Sequence, residues 1–146
     1  MKLSKSARYA LLAAAEMARS RNDDHVTVSL VAKRHMIPEN ALAKVFQRLV
    51  RSGLAVGTRG VHGGYRLARR PSEITVLDVL NAFESIDATV AHVTRRVPAG
   101  NSVHAFDRLN MFVDRVDEHT RLMFDSVTLD VLVAETAGTT SADRHF

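Results

Sequence analysis

Glu39, Asn40, Ala43, Lys44 and Gln47 recur at spacings that share one face of a helix, and Arg48 and Arg51 follow on the next turn. Amides such as those of Asn40 and Gln47 pair bidentately with adenine, and a lysine ammonium suits the acceptors of guanine. Guanidinium groups beside them reach phosphates more naturally than bases. A second group follows, in which Arg59, Gly60, His62, Gly63, Gly64 and Arg66 interleave cations with glycines. Glycines there allow the positive φ of a tight tip and remove side chains that would hold the backbone away from a sugar–phosphate wall. An arginine on such a tip can enter a narrow minor groove, where the negative potential is strongest. His62 adds a further contact, and Arg69 and Arg70 just behind suit phosphates. This is chemistry for gripping a nucleic acid.

Taken singly, Lys44 or Arg48 would equally suit a solvated helix face, and a hairpin without function would read similarly at lower charge. The distribution of charge favours recognition. Residues 1–70 hold 14 Lys/Arg against 4 Asp/Glu, a net of +10, whereas residues 71–146 hold 6 against 12, a net of −6. The overall +4 hides this division, which points to a polyanion-binding N-terminal half and a C-terminal half with another task.

Catalysis is the reading the residues support least. The chain has no cysteine, so thiolate nucleophiles, disulfides, thiolate zinc sites and cysteine-ligated iron–sulfur clusters are excluded. It also lacks a His-x-x-x-His pair, a phosphate-cradling loop and a convincing pair of carboxylates. Its 46% hydrophobic and 25% charged residues over 146 positions suit one globular domain, or a small domain with an appendage. No apolar run approaches the roughly 20 residues that span a bilayer. The first 20 residues faintly imitate a signal peptide, but Glu16 and Arg19 interrupt the apolar stretch within a helical repeat. A folded helix and a cytoplasmic location are therefore expected, with no membrane partner.

These side chains need elements to position them. A first helix is expected over residues 5 to about 20, with Leu3, Ala7, Leu11, Ala14 and Ala18 as its apolar stripe. Asn22-Asp23-Asp24 signals a turn. Thr27 or Ser29 caps a short helix near 28–35, Met36-Ile37 breaks it, and Pro38 opens a third helix that runs to about 52. Leu42, Val45, Phe46 and Leu49 form the buried face of that helix, and Gly53 suits its C-terminus. A strand over 54–58, a tip over 60–64 and a return strand over 65–67 complete a hairpin, which Pro71 ends. Thr75 caps a fourth helix over 76–84, whose Val76, Leu77, Val79, Leu80 and Phe83 pack on the same core.

Residues 85–101 are poorly periodic and contain Pro98 and Gly100, which predicts a loop or linker and a candidate effector region. Beyond it, residues 102–126 read as one long amphipathic helix. Phe106, Leu109, Val113, Val116, Thr120, Met123 and Val127 recur by threes and fours, as in a coiled-coil seam. Such a seam could dock on its own domain. A helix of roughly 25 residues spans about 37 Å, however, more than so small a core covers, so a dimer seam is the better reading. Thr128 caps a short last helix over 129–135, and residues 136–146 are expected to form a disordered tail. The expected fold is mainly α with a small β-hairpin wing. A winged helix-turn-helix DNA-binding domain over 1–84 joins, through the 85–101 linker, a dimerisation helix and short terminal helix over 102–135.

Arg59-Gly60-Val61-His62-Gly63-Gly64-Tyr65-Arg66-Leu67-Ala68-Arg69, followed by Ile74-Thr75-Val76-Leu77-Asp78-Val79, closely resembles the Rrf-two family of bacterial winged-helix transcription regulators. Arg8-Tyr9-Ala10, Val31-Ala32, Ile37-x-x-x-x-Leu42 and Val127-Thr128-Leu129 fit as well, so the resemblance covers about residues 1–135. It implies a homodimer whose long helix crosses to the partner subunit, and a roughly palindromic double-stranded DNA operator. It places the third helix in the major groove and the hairpin in the minor groove, with Arg59 as the wing arginine, and it favours repression over activation.

The chain also departs from that pattern. Many relatives hold an iron–sulfur cluster through three cysteines after the fourth helix, and this chain has none. Another branch carries one cysteine before a Pro-x-Gly turn; here Val97 stands before Pro98-Ala99-Gly100. Ala43 occupies a position that is often polar in relatives. His92 and His104 flank the loop and are of a type that binds metal or haem, although a spacing of twelve residues is no metal motif. Arg95 and Arg96 could instead receive an anionic small-molecule effector. No cofactor is assigned. Beside a dimeric DNA-binding repressor stand two alternatives, a histidine-based metal or haem sensor and a winged-helix interaction module that no longer binds DNA.

Overall fold

The structure, a computed structural model, describes residues 3–20, 24–84 and 103–139, without the side chains of 103–106 and 135–139. The turn expected at Asn22-Asp23, the 85–101 linker and residues 140–146 lie outside the described residues.

Helix α1 (Lys5–Arg19) begins where the Ser4 hydroxyl accepts the Ala7 N–H at 3.1 Å. It buries Ala7, Ala10, Ala13, Ala14 and Met17, while Leu11 and Ala18 stay half-buried. The expected stripe is thus rotated. Three later helices, α3 (Glu39–Arg51), α4 (Val76–Asn81) and α6 (Leu129–Thr139), all converge on α1, and alanines let their backbones approach closely where leucines would not.

Helix α2 (Val28–His35) is capped by Thr27, whose hydroxyl accepts the Leu30 N–H at 3.2 Å; Ser29 lies inside the helix. Met36 ends it in the left-handed region (φ 54°), and the Ile37 N–H returns to the Ala32 carbonyl at 3.0 Å. That bond, with Ile37 and Ala32 both buried, is a Schellman-type stop. Helix α3 (Glu39–Arg51) follows, with Pro38 as its N-cap rather than its first residue. Leu42, Val45, Phe46 and Leu49 are buried as the spacing predicts.

Strands β1 (Ala55–Thr58) and β2 (Gly64–Leu67) pair antiparallel, with Ala55 opposite Leu67 and Thr58 opposite Gly64. Val26 adds a bridge to the outer side of β2, exchanging two 2.8 Å hydrogen bonds with Tyr65. The Tyr65 ring packs 4.7 Å from that of Phe46 between centroids, so the hairpin is rooted on α3.

After a 3-10 turn (Pro71–Glu73), helix α4 (Val76–Asn81) starts with a reciprocal box between Thr75 and Asp78. It ends before the expected residue 84. Helix α5 (Val103–Ser126) and helix α6 (Leu129–Thr139) complete the chain. Helix α6 runs one turn past the expected residue 135, so residues 136–139 are helical rather than tail. Once a helix is nucleated each further residue adds a bond, and no proline interrupts this stretch. The Thr128 hydroxyl donates to the Asp130 carboxylate, which holds that carboxyl below its ordinary value, and the Thr128 carbonyl accepts the Leu132 N–H at 3.0 Å.

The two halves share one core. The Val76 N–H donates to the Val127 carbonyl at 2.8 Å and the Leu129 N–H to that of Ile74 at 2.9 Å. Phe124, Val127 and Leu132 pack on Ala7, Val76 and Leu80. Among the described residues, the upstream part of α5 has no such cover. Leu109, Phe112, Val116 and Met123 are exposed along one side of it, and Val113 and Thr120 are half-buried. Phe112, which the heptad spacing passes over, belongs with this stripe.

Candidate nucleic-acid interface

Helix α3 presents its charged side because its opposite side is anchored in the core. Glu39, Asn40, Lys44, Gln47, Arg48 and Arg51 are exposed, and Ala43 is half-buried. The Glu39 carboxylate accepts the Ser29 hydroxyl at 2.7 Å, which ties the start of α3 to the start of α2. Beneath α2, the Glu16 carboxylate is 4% exposed and binds Arg34 and His35 at 2.5 and 2.8 Å. With Arg19 at 3.7 Å as a third partner from its own helix, this buried charge pins the C-terminal turn of α2, and through it the turn into α3. Sequence patterning treats Glu16 only as a break in an apolar run.

An open groove of about 630 Å³ separates α3 from the hairpin, and Gln47 and Arg51 face Thr58, Arg59 and Tyr65 across it. Its wall depends on Gly63 and Gly64. A Cβ on Gly63 would stand 2.3 Å from the Thr58 carbonyl oxygen. At Gly64, with φ of 150°, a Cβ would lie 2.8 Å from the carbonyl oxygen of Val26. Neither position accepts a side chain without shifting backbone, so glycine is required for the tip to close.

The structure gathers some of the expected residues and separates others. Gln47, Arg51, Arg59, Gly60, Gly63 and Gly64 line one groove. Arg66 alternates to the other face of β2, where it joins Arg69 and Arg70 in a hollow beside Ser20 and Asp24. The Arg48 guanidinium stands 5.1 Å over the ring of Phe83, in a cleft shared with Lys44, Arg51, Ser52 and Asn81. Asn81 and Phe83 carry no local signal for such a role; only their place beside Arg48 in the folded chain reveals them. His62 is exposed at the tip. His92, Arg95 and Arg96 lie outside the described residues, as does the side chain of His104.

The arrangement offers amide and ammonium groups flanked by guanidiniums, with no enclosed pocket for a small substrate among these surfaces. Among the described residues no three of His, Asp and Glu converge to hold a metal ion. No helix there is long and apolar enough to cross a membrane.

Comparison with known proteins agrees with this geometry. The model of the Rrf2 family, described as iron-dependent transcriptional regulators, matches residues 3–135. The regulator IscR of Pectobacterium atrosepticum is 30% identical over 146 residues, covering 99% of this chain and 87% of that protein. A helix-turn-helix-type regulator sequence of Aquifex aeolicus is 41% identical over 83 residues, and the match spans just over half, 57%, of each protein. Among solved structures, CymR, the global cysteine regulator of B. subtilis, superposes with a TM-score of 0.75 at 24% identity. It covers 92% of this chain and 98% of that one, a likeness of fold. A thiolate-held iron centre does not fit a chain that contains no cysteine. The winged helix-turn-helix body and the long helix are nonetheless intact, and the chain belongs to the Rrf2 family of transcriptional regulators, not to a family of enzymes.

Proposed function

We propose that the protein is a sequence-specific repressor that binds a roughly palindromic operator as a homodimer. Helix α3 enters the major groove, with Asn40, Lys44 and Gln47 at base edges, Glu39 and Ala43 beside them, and Arg48 and Arg51 at phosphates. The hairpin enters the adjacent minor groove through Arg59 and His62, with Gly60, Gly63 and Gly64 bringing the backbone close and Arg66 serving the flanking phosphates. The observation that carries this reading is the single groove in which Gln47 and Arg51 of α3 face Arg59 of the hairpin. A helix and a wing that share one basic groove suit two adjacent grooves of one duplex.

Helix α5 supports the dimer. Leu109, Phe112, Val116 and Met123 leave an apolar stripe uncovered, and a second copy crossing it would bury that surface, with Phe106, Val113 and Thr120 in the same seam. Without a cysteine, any signal is something other than thiol oxidation, and residues 85–101, with His92, Arg95, Arg96 and His104, are the candidate region for a small-molecule effector.

The test is selection from a random duplex library with the full chain, followed by titration of the winning site at several salt concentrations. A two-fold-related consensus and affinity that falls steeply with salt are expected, because phosphate contacts release condensed counterions. Failure to select any sequence would overturn the reading and leave an interaction module in its place.

A further inference from the structure

The hairpin tip carries a side chain that its fold does not use. The Gly63 N–H donates to the Gly60 carbonyl at 3.0 Å, closing a four-residue turn with Val61 and His62 at its corners. Positive φ in this hairpin falls on Gly60 and Gly64, so both corner residues keep ordinary backbone angles. Val61 is 97% exposed, the most exposed large hydrophobic side chain among the described residues. Turn corners ordinarily hold Gly, Asn, Asp, Ser or Pro, each for a conformational reason, and a β-branched apolar residue has none of those reasons. Within the chain Val61 gains nothing.

We infer that Val61, with His62 beside it, selects A·T base pairs where the hairpin tip enters the minor groove. The inference rests on the proposed DNA-binding function and adds a specificity determinant to it. The minor-groove floor of an A·T pair presents only acceptors, adenine N3 and thymine O2, while a G·C pair adds the guanine N2 amino group. The isopropyl group of Val61 has no acceptor to offer. A guanine amino group beneath it is cut off from water without a partner, which is unfavourable. A neutral imidazole always carries one N–H, so His62 donates to the acceptors of an A·T floor in either tautomer. Arg59, one residue before the turn, acts in the same sense, because narrow A·T-rich grooves hold the strongest negative potential. The tip therefore combines a cation for the groove's potential, a donor for its floor and an apolar group that rejects the one feature distinguishing G·C.

The experiment uses the full chain and the operator it selects from a random library. Each A·T pair of the selected site is exchanged in turn for G·C and for inosine·C, which has the major-groove edge of G·C but lacks the amino group in the minor groove. At one position in each half-site, G·C should weaken binding about tenfold while inosine·C leaves it unchanged. Val61→Gly and Val61→Ser should level that discrimination and keep the salt dependence and melting temperature of the parent, since Val61 contacts no core residue. Discrimination that survives in both variants, or a site indifferent to the exchange at every position, overturns the inference and leaves the proposed function standing. A protein that selects no sequence overturns both.

Discussion

Arg48 projects from α3 over the ring of Phe83, its guanidinium carbon 5.1 Å from the ring centroid. Phe83 lies just beyond α4, whose Val79 and Leu80 are buried in the core that α5 and α6 also enter. The contact therefore joins the exposed side of α3 to the part of the molecule that leads into residues 85–101. An exposed cation–π pair contributes about 0.5–1 kcal/mol. In a double-mutant cycle of Arg48→Ala and Phe83→Ala followed by urea unfolding, a coupling energy of that size is expected. Strict additivity would mean that the two side chains are merely adjacent.

Arg59 is exposed and forms part of the groove wall. Arg59→Ala should leave the melting temperature unchanged and lower operator affinity by about tenfold or more, with a salt slope shallower by about one unit. Fluorescence anisotropy titrations at several salt concentrations measure both. Unchanged affinity would remove the hairpin from the DNA interface.

Along α5, Val116 is 48% exposed and Val113 half-buried on the same side. Charge at both positions is incompatible with a buried apolar seam. The doubly substituted Val113→Asp, Val116→Asp chain should sediment as a monomer and keep the helical circular dichroism of the N-terminal body. A variant that still sediments as a dimer would place the interface elsewhere.

Glu16 is buried and accepts from Arg34 and His35. Its replacement by alanine leaves those groups without their acceptor and opens a small void between α1 and α2. A destabilisation of about 1–3 kcal/mol is expected, below that of a fully buried pair because Arg34 is half exposed. Urea unfolding at neutral pH gives the value. Loss below about 0.5 kcal/mol would show that the carboxylate does not hold α2 in place.

The sequence by itself determined the elements whose signals are local. Thr27 or Ser29 caps α2, Leu42, Val45, Phe46 and Leu49 fix the buried side of α3, and the glycines at 60, 63 and 64 mark the hairpin tip. Each is settled by residues a few positions apart, through hydrogen-bond capping, helical periodicity or backbone sterics. Which residues are exposed on α3 follows from the same periodicity. Tertiary structure decided the rest. The buried side of α1 is set by the helices that converge on its alanines, and small side chains carry too little hydropathy to announce it. Glu16 reads only as a break in an apolar run until α2 brings Arg34 and His35 to it. Arg48 looks like any exposed cation of α3, yet the fold brings it over the ring of Phe83, just beyond α4. Those outcomes depend on contacts between segments distant in sequence, which no local pattern records.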